Sequence, residues 1–419
     1  MTLKAIAISI ALIGASVPIG SSAQTTNPAV TQLMQSYNLS RDEAQLRVDL
    51  QNEILVLSER LNADNDPAYA DMYIQQEPTF KIIVLFADKS DRKAFLDSVN
   101  PKLKRYVQLK NAKKSRGVAV RELDALNGSI AALNVPFTSK YDLASEQFVI
   151  NVADDATAAR VNAALPDTRK IETVVRVAAL PVIQAAPTGI VAGDRLVGGD
   201  GIRIGASGSG AADCTLAYAV GYTLGGIVKK GILTAGHCSN TMRAFVNGHD
   251  IILSGPDLEK QEKPADGLSD KYDFQIFDAT GTTVDNRIKF ANKNSIPEFP
   301  ASGELRITAI TSFLNQKAGM IVCKSGANSG ITCGEITNGN LTWDGAAGWI
   351  EVSKTKQAVI SVGGDSGAPW FIYPGTATNI TGVGIHTAGN SVSGPTGIAI
   401  YMPIDYIDDQ NSTVNTIKQ

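Results

Sequence analysis

The chain has 419 residues, 44% of them hydrophobic and 19% charged, with a formal net charge of −3. That length and apolar content allow two or three domains with sizeable cores and exclude a disordered protein. The near-neutral balance gives no electrostatic reason to expect nucleic acid or an anionic membrane as a partner.

Residues 1–23 carry Lys4, the apolar run from Ala5 to Ile19, and then Ser21-Ser22-Ala23, the pattern of a cleaved secretory signal. The run contains Gly14 and Pro18 and is short of a membrane span. No later stretch is long and apolar enough to cross a bilayer, so a secreted monomer is expected, without a membrane once the signal is removed.

Residues 24–189 read as an α+β unit. Ser40 followed by Glu43 forms a capping box, and Leu46, Leu50, Ile54, Leu57 and Leu61 then recur on one helical face. Strand-like runs at Phe80 to Phe86 and Phe148 to Val152 are each followed by a helical pattern, at Arg92 to Val99 and Ala156 to Leu165. The seven basic residues between Lys102 and Arg116 are read as a solvated face, because Tyr106 is the one aromatic among them and acidic residues surround the run. This unit contains no constellation that suggests catalysis.

The boundary is placed in the stretch from Pro181 to Asp200, which holds Pro181, Pro187 and Gly189. Beyond it the composition changes: only five of the 38 glycines precede residue 190, and all three tryptophans and all four cysteines follow it. Short β-rich runs alternate with turn signals at 231–233, 250–253, 319–322, 358–360 and 382–385. Residues 190–419 are therefore expected to be all-β, with room for two six-stranded antiparallel barrels and a cleft between them.

Four cysteines in an exported chain imply two disulfides. Of the three possible pairings we choose Cys214 with Cys238 and Cys323 with Cys333, since each closes a short hairpin-like loop. A zinc site is disfavoured because no pair has Cys-x-x-Cys spacing.

Three separated segments carry a chemistry. Leu233-Thr-Ala-Gly-His237-Cys238 offers an imidazole, Lys271-Tyr-Asp273-Phe274 a carboxylate, and Gly363-Gly-Asp-Ser366-Gly-Ala-Pro369 a hydroxyl in a tight turn. A serine hydroxyl is a weak nucleophile until an imidazole accepts its proton and a carboxylate holds that ring in the right tautomer. The order His, Asp, Ser is that of two-barrel proteases. It disfavours an α/β-hydrolase, in which the serine comes first inside Gly-x-Ser-x-Gly.

With Cys214-Thr-Leu-Ala, Thr234-Ala-Gly-His-Cys238, Val322-Cys-Lys-Ser-Gly326, Gly330-Ile-Thr-Cys-Gly334 and Gly364-Asp-Ser-Gly-Ala-Pro369, residues from about 190 to 410 resemble the secreted bacterial serine proteases of the streptogrisin and α-lytic type. The resemblance implies a trypsin-like endopeptidase made as a zymogen, with residues 24–189 as a pro-region that assists folding and inhibits. It implies Ser366 as nucleophile, His237 as general base and acid, Asp273 as orienting carboxylate, and the N–H groups of Gly364 and Ser366 as oxyanion hole. It also implies a Lys324–Asp365 ion pair, where the family more often has Arg. Two departures stand out: no third disulfide brackets the specificity pocket, and Ala368 replaces a glycine.

The string Gly384-Ile-His386-Thr387-Ala-Gly389-Asn390 resembles the strand that lines the pocket and pairs with substrate backbone. His386, helped by a hydroxyl from Ser361 or Thr387, would then recognise Glu or Asp before the scissile bond, as in the glutamate-specific members. An apolar or small side chain is the alternative, and His249 reads as a surface turn residue. Asp194 and Asp200 offer acidic positions for self-cleavage near the boundary. Peptide substrates and the chain's own pro-region are the expected partners, and no cofactor or metal is implied. The rival from another class is a secreted binding module that keeps the fold without catalysis.

Overall fold

The computed structural model describes residues 27–183, 195–204, 212–246, 249–260, 271–297, 299–343, 345–353, 359–373, 378–410 and 415–416. The expected signal, Gly189 and Asp194 lie outside the described residues.

The N-terminal segment opens on two helices, Pro28–Tyr37 and Arg41–Ala63. The second begins where the capping box places it, with the Ser40 hydroxyl accepting from the Glu43 N–H, and its buried face includes Leu50, Ile54, Leu57 and Leu61. A first sheet follows, in which Lys81–Phe86 pairs antiparallel with Tyr69–Gln75 and parallel with Val107–Asn111. After the helix Arg116–Ala131 comes a second sheet, with Gln147–Val152 between Phe137–Asp142 and Thr173–Val177. The α+β reading holds, and the helix Arg116–Ala131 is an element that the sequence reading passed over. Its start lies in the basic run, four of whose seven charges form ion pairs: Lys102 with Glu53, Lys104 with Asp97, Lys114 with Glu122 and Glu172, and Arg116 with Asp71.

In the C-terminal part, six strands form one closed antiparallel ring: Ile321–Gly326, Gly330–Trp343, Ala346–Ser353, Ala399–Pro403, Asn379–Gly389 and Pro369–Ile372, the last pairing back to the first. The other half is a five-stranded sheet, in the order Leu258–Lys260, Phe274–Asp278, Ile227–Thr234, Ala219–Leu224 and Asn415–Thr416, accompanied by the hairpin Thr241–Val246/His249–Ser254. Among the described residues no ladder closes these into a second six-stranded ring. Alternating apolar residues announce strands, whereas closure depends on stagger between strands distant in sequence. Ile360, expected in a strand, lies instead in the irregular segment before Gly363, where its carbonyl accepts from the Thr332 hydroxyl.

The two parts share their cores. Ala29, Val30 and Leu33 of the first helix cluster with Ile321, Cys323 and Cys333, and Leu50, Ile54 and Leu57 cluster with Met320, Val322 and Ile336. Phe137–Asp142 also adds to the edge of Gly330–Trp343, with Ser139 opposite Thr342 and Thr138 opposite Trp343. Both expected disulfides are present, Cys214–Cys238 and Cys323–Cys333.

Candidate active site

His237 sits in the turn that follows the strand Ile227–Thr234, and Asp273 immediately precedes the neighbouring strand Phe274–Asp278. Because Thr234 is in register with Gln275, residues 36 apart in sequence meet across one ladder. His237 Nδ1 lies 2.9 Å from Asp273 Oδ2 and 3.1 Å from Oδ1, and the His237 backbone N–H donates to Oδ1 at 2.9 Å. The turn is fastened by the Gln275 amide, which donates to the carbonyls of Ala235 and Cys238, and by the Cys214–Cys238 disulfide.

Asp273 is buried, with its N–H donating to Met402 Sδ at 3.2 Å. Burial would raise its pKa, but the His237 imidazole outweighs burial and holds the carboxyl below its ordinary value. Burial would likewise pull the imidazole down, yet the Asp273 carboxylate prevails and its pKa stands above the ordinary histidine value. The Thr387 hydroxyl also helps to lower Asp273, though it makes no hydrogen bond of normal geometry. Thr387, expected against substrate, is thus within reach of the Asp273 carboxylate.

Ser366 occupies a turn built by two left-handed glycines, Gly364 at φ +84° and Gly367 at φ +88°. A Cβ on Gly364 would collide with the Ala212 carbonyl and the Asn328 amide, and one on Gly367 with the Thr215 carbonyl and the Thr234 hydroxyl. That second collision shows the serine turn resting directly on the segment that leads to His237. The contact is tied by Thr215, whose N–H donates to the Ser366 carbonyl at 2.7 Å and whose carbonyl accepts from the Thr234 hydroxyl. Among the described residues, the N–H groups of Gly364 and Ser366 donate to no protein acceptor. His237 Nε2 is buried and likewise has no hydrogen-bond partner. The imidazole thus holds the carboxylate and makes no hydrogen bond to the Ser366 hydroxyl.

Beneath this turn Lys324 Nζ lies 2.6 Å from Asp365 Oδ2, with neither side chain exposed to solvent. Asp365 also accepts from the N–H groups of Val362, Asn328 and Ser329, and Lys324 donates to the Ser329 hydroxyl. Burial disfavours both charges. It leaves the ammonium below its ordinary value, while Lys324 outweighs it at Asp365 and holds that carboxyl low.

Ser361 is fully buried in the segment before Gly363. His386 is buried in the strand Asn379–Gly389, its N–H donating to the Ala368 carbonyl and its carbonyl accepting from Gly367. Its ring receives a hydrogen bond from Trp370 Nε1 at 3.4 Å, a partner for which the sequence carries no local signal. Gly389, at the end of that strand, exchanges two backbone bonds with Val182 of the N-terminal segment, at 3.0 and 3.1 Å. His249 is exposed, in a strand rather than a turn. Asp200 is buried against Lys289 and the Val197 N–H, so it does not offer the accessible cleavage point expected of it.

No protein-family model matches the chain, and no curated protein does. Solved structures of bacterial proteases do resemble it. Protease A of Thermobifida fusca is 19% identical with a TM-score of 0.36, covering 55% of this chain and 100% of its own. A protease described as glutamic acid specific, with a histidine triad in substrate binding, is 22% identical with a TM-score of 0.37, covering 53% of this chain and 100% of its own. Chymotrypsin of Cellulomonas bogoriensis is 21% identical with a TM-score of 0.34, covering 53% and 98%. At these identities and scores the functional reading rests on the site's own geometry.

Proposed function

We propose that the chain is a secreted serine endopeptidase of trypsin-like fold, made as a zymogen whose pro-region is residues 24–189. The observation that carries this reading is a buried Asp273 fixing His237 through Nδ1 while Nε2 stays unpartnered and the serine turn rests on the segment that leads to His237. That tautomer leaves Nε2 as the free base. It would take the Ser366 proton as Oγ attacks the peptide carbonyl, and then pass that proton to the leaving amine as the acyl-enzyme forms. Water, deprotonated by the same imidazole, would release the acid. The unpaired N–H groups of Gly364 and Ser366 suit the oxyanion, and the Lys324–Asp365 pair anchors the loop that aims them. A binding module would have no physical use for this combination.

The N-terminal segment supplies both scaffold and inhibitor. Val182 adds as an extended residue to the strand that carries His386 and Thr387, where a substrate backbone would pair. Glu or Asp recognition by His386 remains the specificity expected from the resemblance. Ser366→Ala is expected to lower peptide hydrolysis by about 10³-fold or more and to abolish self-processing, read by peptide assay and N-terminal sequencing. A variant that processes itself as fast as wild type would return the binding module to favour.

A further inference from the structure

Asp273 is fastened at two ends. Its carboxylate is taken up by His237, and its backbone N–H donates to Met402 Sδ at 3.2 Å. The ladders on either side of its strand stop short of that N–H, the last residues in register being Gln275, opposite Thr234, and Phe274, opposite Lys260. A thioether is a weak acceptor, yet a buried donor left with none costs more than the bond contributes. Met402 has no exposed surface and belongs to the strand Ala399–Pro403 of the closed ring. The ring leads from this acceptor to the nucleophile. Met402 is in register with Ile385, and Ile385 with Pro369, so two rungs join the sulfur-bearing residue to the strand that follows the serine turn. The segment before Asp273 docks on the same half: the rings of Tyr272 and Tyr406 meet edge to face with centres 6.2 Å apart, and Lys271 Nζ lies 3.8 Å from the centre of the Tyr406 ring.

We propose, resting on the protease reading above, that Met402 is a positioning residue whose thioether, by holding the Asp273 backbone to the ring, keeps the Asp273–His237 pair in line with the serine turn. The carboxylate and the N–H belong to one residue, so drift of the Asp273 backbone would lengthen the bonds that both of its oxygens make to His237. The imidazole would move with the carboxylate, and a misplaced base serves the hydroxyl poorly. Leucine in place of Met402 would fill nearly the same space and offer no acceptor. The freed N–H would then have to seek another partner, and the carboxylate would follow it. Such a change has an electrostatic signature. Burial lowers the His237 pKa and Asp273 raises it past the ordinary value, so a loosened pair lets it fall back. The neighbouring His386 does not disturb this readout, because burial, and after it the Lys324 ammonium, leave it neutral with a pKa pushed down to about 3.

The test uses the full chain, expressed and left to process itself, with rates on a neutral peptide expressed per serine labelled by a fluorophosphonate. In Met402→Leu we expect kcat to fall by about tenfold to a hundredfold. KM should change by less than about twofold, since no substrate contact is removed. The acid limb of the kcat/KM profile should also move down toward the usual histidine value of about 6.5, a shift that lost stability alone would not produce. Met402→Gln carries a linear side chain with an amide oxygen, and should recover kcat to within about threefold of wild type and return the limb. For variants that fail to fold, selenomethionine in the wild-type chain decides instead: the Asp273 amide proton should show coupling to ⁷⁷Se. Wild-type kcat and an unmoved limb in folded Met402→Leu, a folded Met402→Gln no better than Met402→Leu, or no ⁷⁷Se coupling at Asp273 would each overturn the proposal. The label separates the two levels. Any of these results with a labelled serine defeats this inference alone, and a wild-type chain that takes no label defeats the protease reading and this inference with it.

Discussion

At the scale of single residues the site is governed by which charges are buried together. His237 owes its raised pKa to Asp273, and a general base must be unprotonated to act. Activity is therefore expected to fall on acidification, with the limb of the kcat/KM profile centred above the usual histidine value of about 6.5. A pH–rate profile on a neutral peptide, whose own charge does not change, checks this. Lys324 and Asp365 form the other buried pair, in which each charge depends on its partner. Replacing Lys324 with Met would strand the Asp365 carboxylate in the barrel, at an expected cost of about 3–5 kcal/mol of stability in denaturant unfolding. The serine turn would loosen with it, so activity should fall even where the fold survives. Both pairs were legible as residue types in the sequence. The Trp370–His386 bond was not, because only folding brings side chains 16 positions apart into line inside a barrel.

At the scale of elements, the helix Arg116–Ala131 ties the N-terminal segment to the barrel through one buried amide. Asn127 donates to the Thr342 hydroxyl at 2.9 Å and accepts from the Ser139 hydroxyl, so it bridges the helix, an N-terminal strand and a barrel strand where Ser139 faces Thr342. Asn127→Ala would leave those hydroxyls unpaired away from water, weakening the hold of the segment by about 1–3 kcal/mol. The measurement is residual activity of the unprocessed chain, expected to be higher in the variant. Periodicity marked the long helix Arg41–Ala63 and the strands Lys81–Phe86 and Gln147–Val152 nearly to their ends. Arg116–Ala131 is less legible, because the basic run that ends at Arg116 masks the helical period of the buried Ala119, Leu123, Leu126 and Ile130 beyond.

At the scale of the whole molecule, the N-terminal segment packs on the C-terminal part in three places. Its helices share cores with the barrel, its second sheet extends the strand Gly330–Trp343, and its tail lies along Gly389. Buried charges cross the same boundary: Lys317 reaches Asp71 at 2.6 Å, and Lys140 reaches Glu351 at 3.0 Å. On the proposed zymogen reading, a surface matched over helices, sheet and tail would rebind after cleavage. Residues 24–189, produced separately, are therefore expected to inhibit the processed enzyme competitively. Removing Pro181 to Ile183 should weaken that inhibition by at least about tenfold, through the lost strand pairing at the cleft. Inhibition kinetics with and without those residues decide it.

The residue types of the candidate site and its local frames are legible in the sequence alone. The residue types in the order His, Asp, Ser, the glycines around Ser366, the cysteine pairs, the capping box and the alternating strands are signals contained within short windows. Only the folded molecule shows that six strands close into one ring, that Asp200 is buried, that Thr387 comes within reach of Asp273, and that Val182 lies on Gly389. Each of these depends on register between segments far apart in the chain. Such register is set when the common core packs, and no local pattern encodes it.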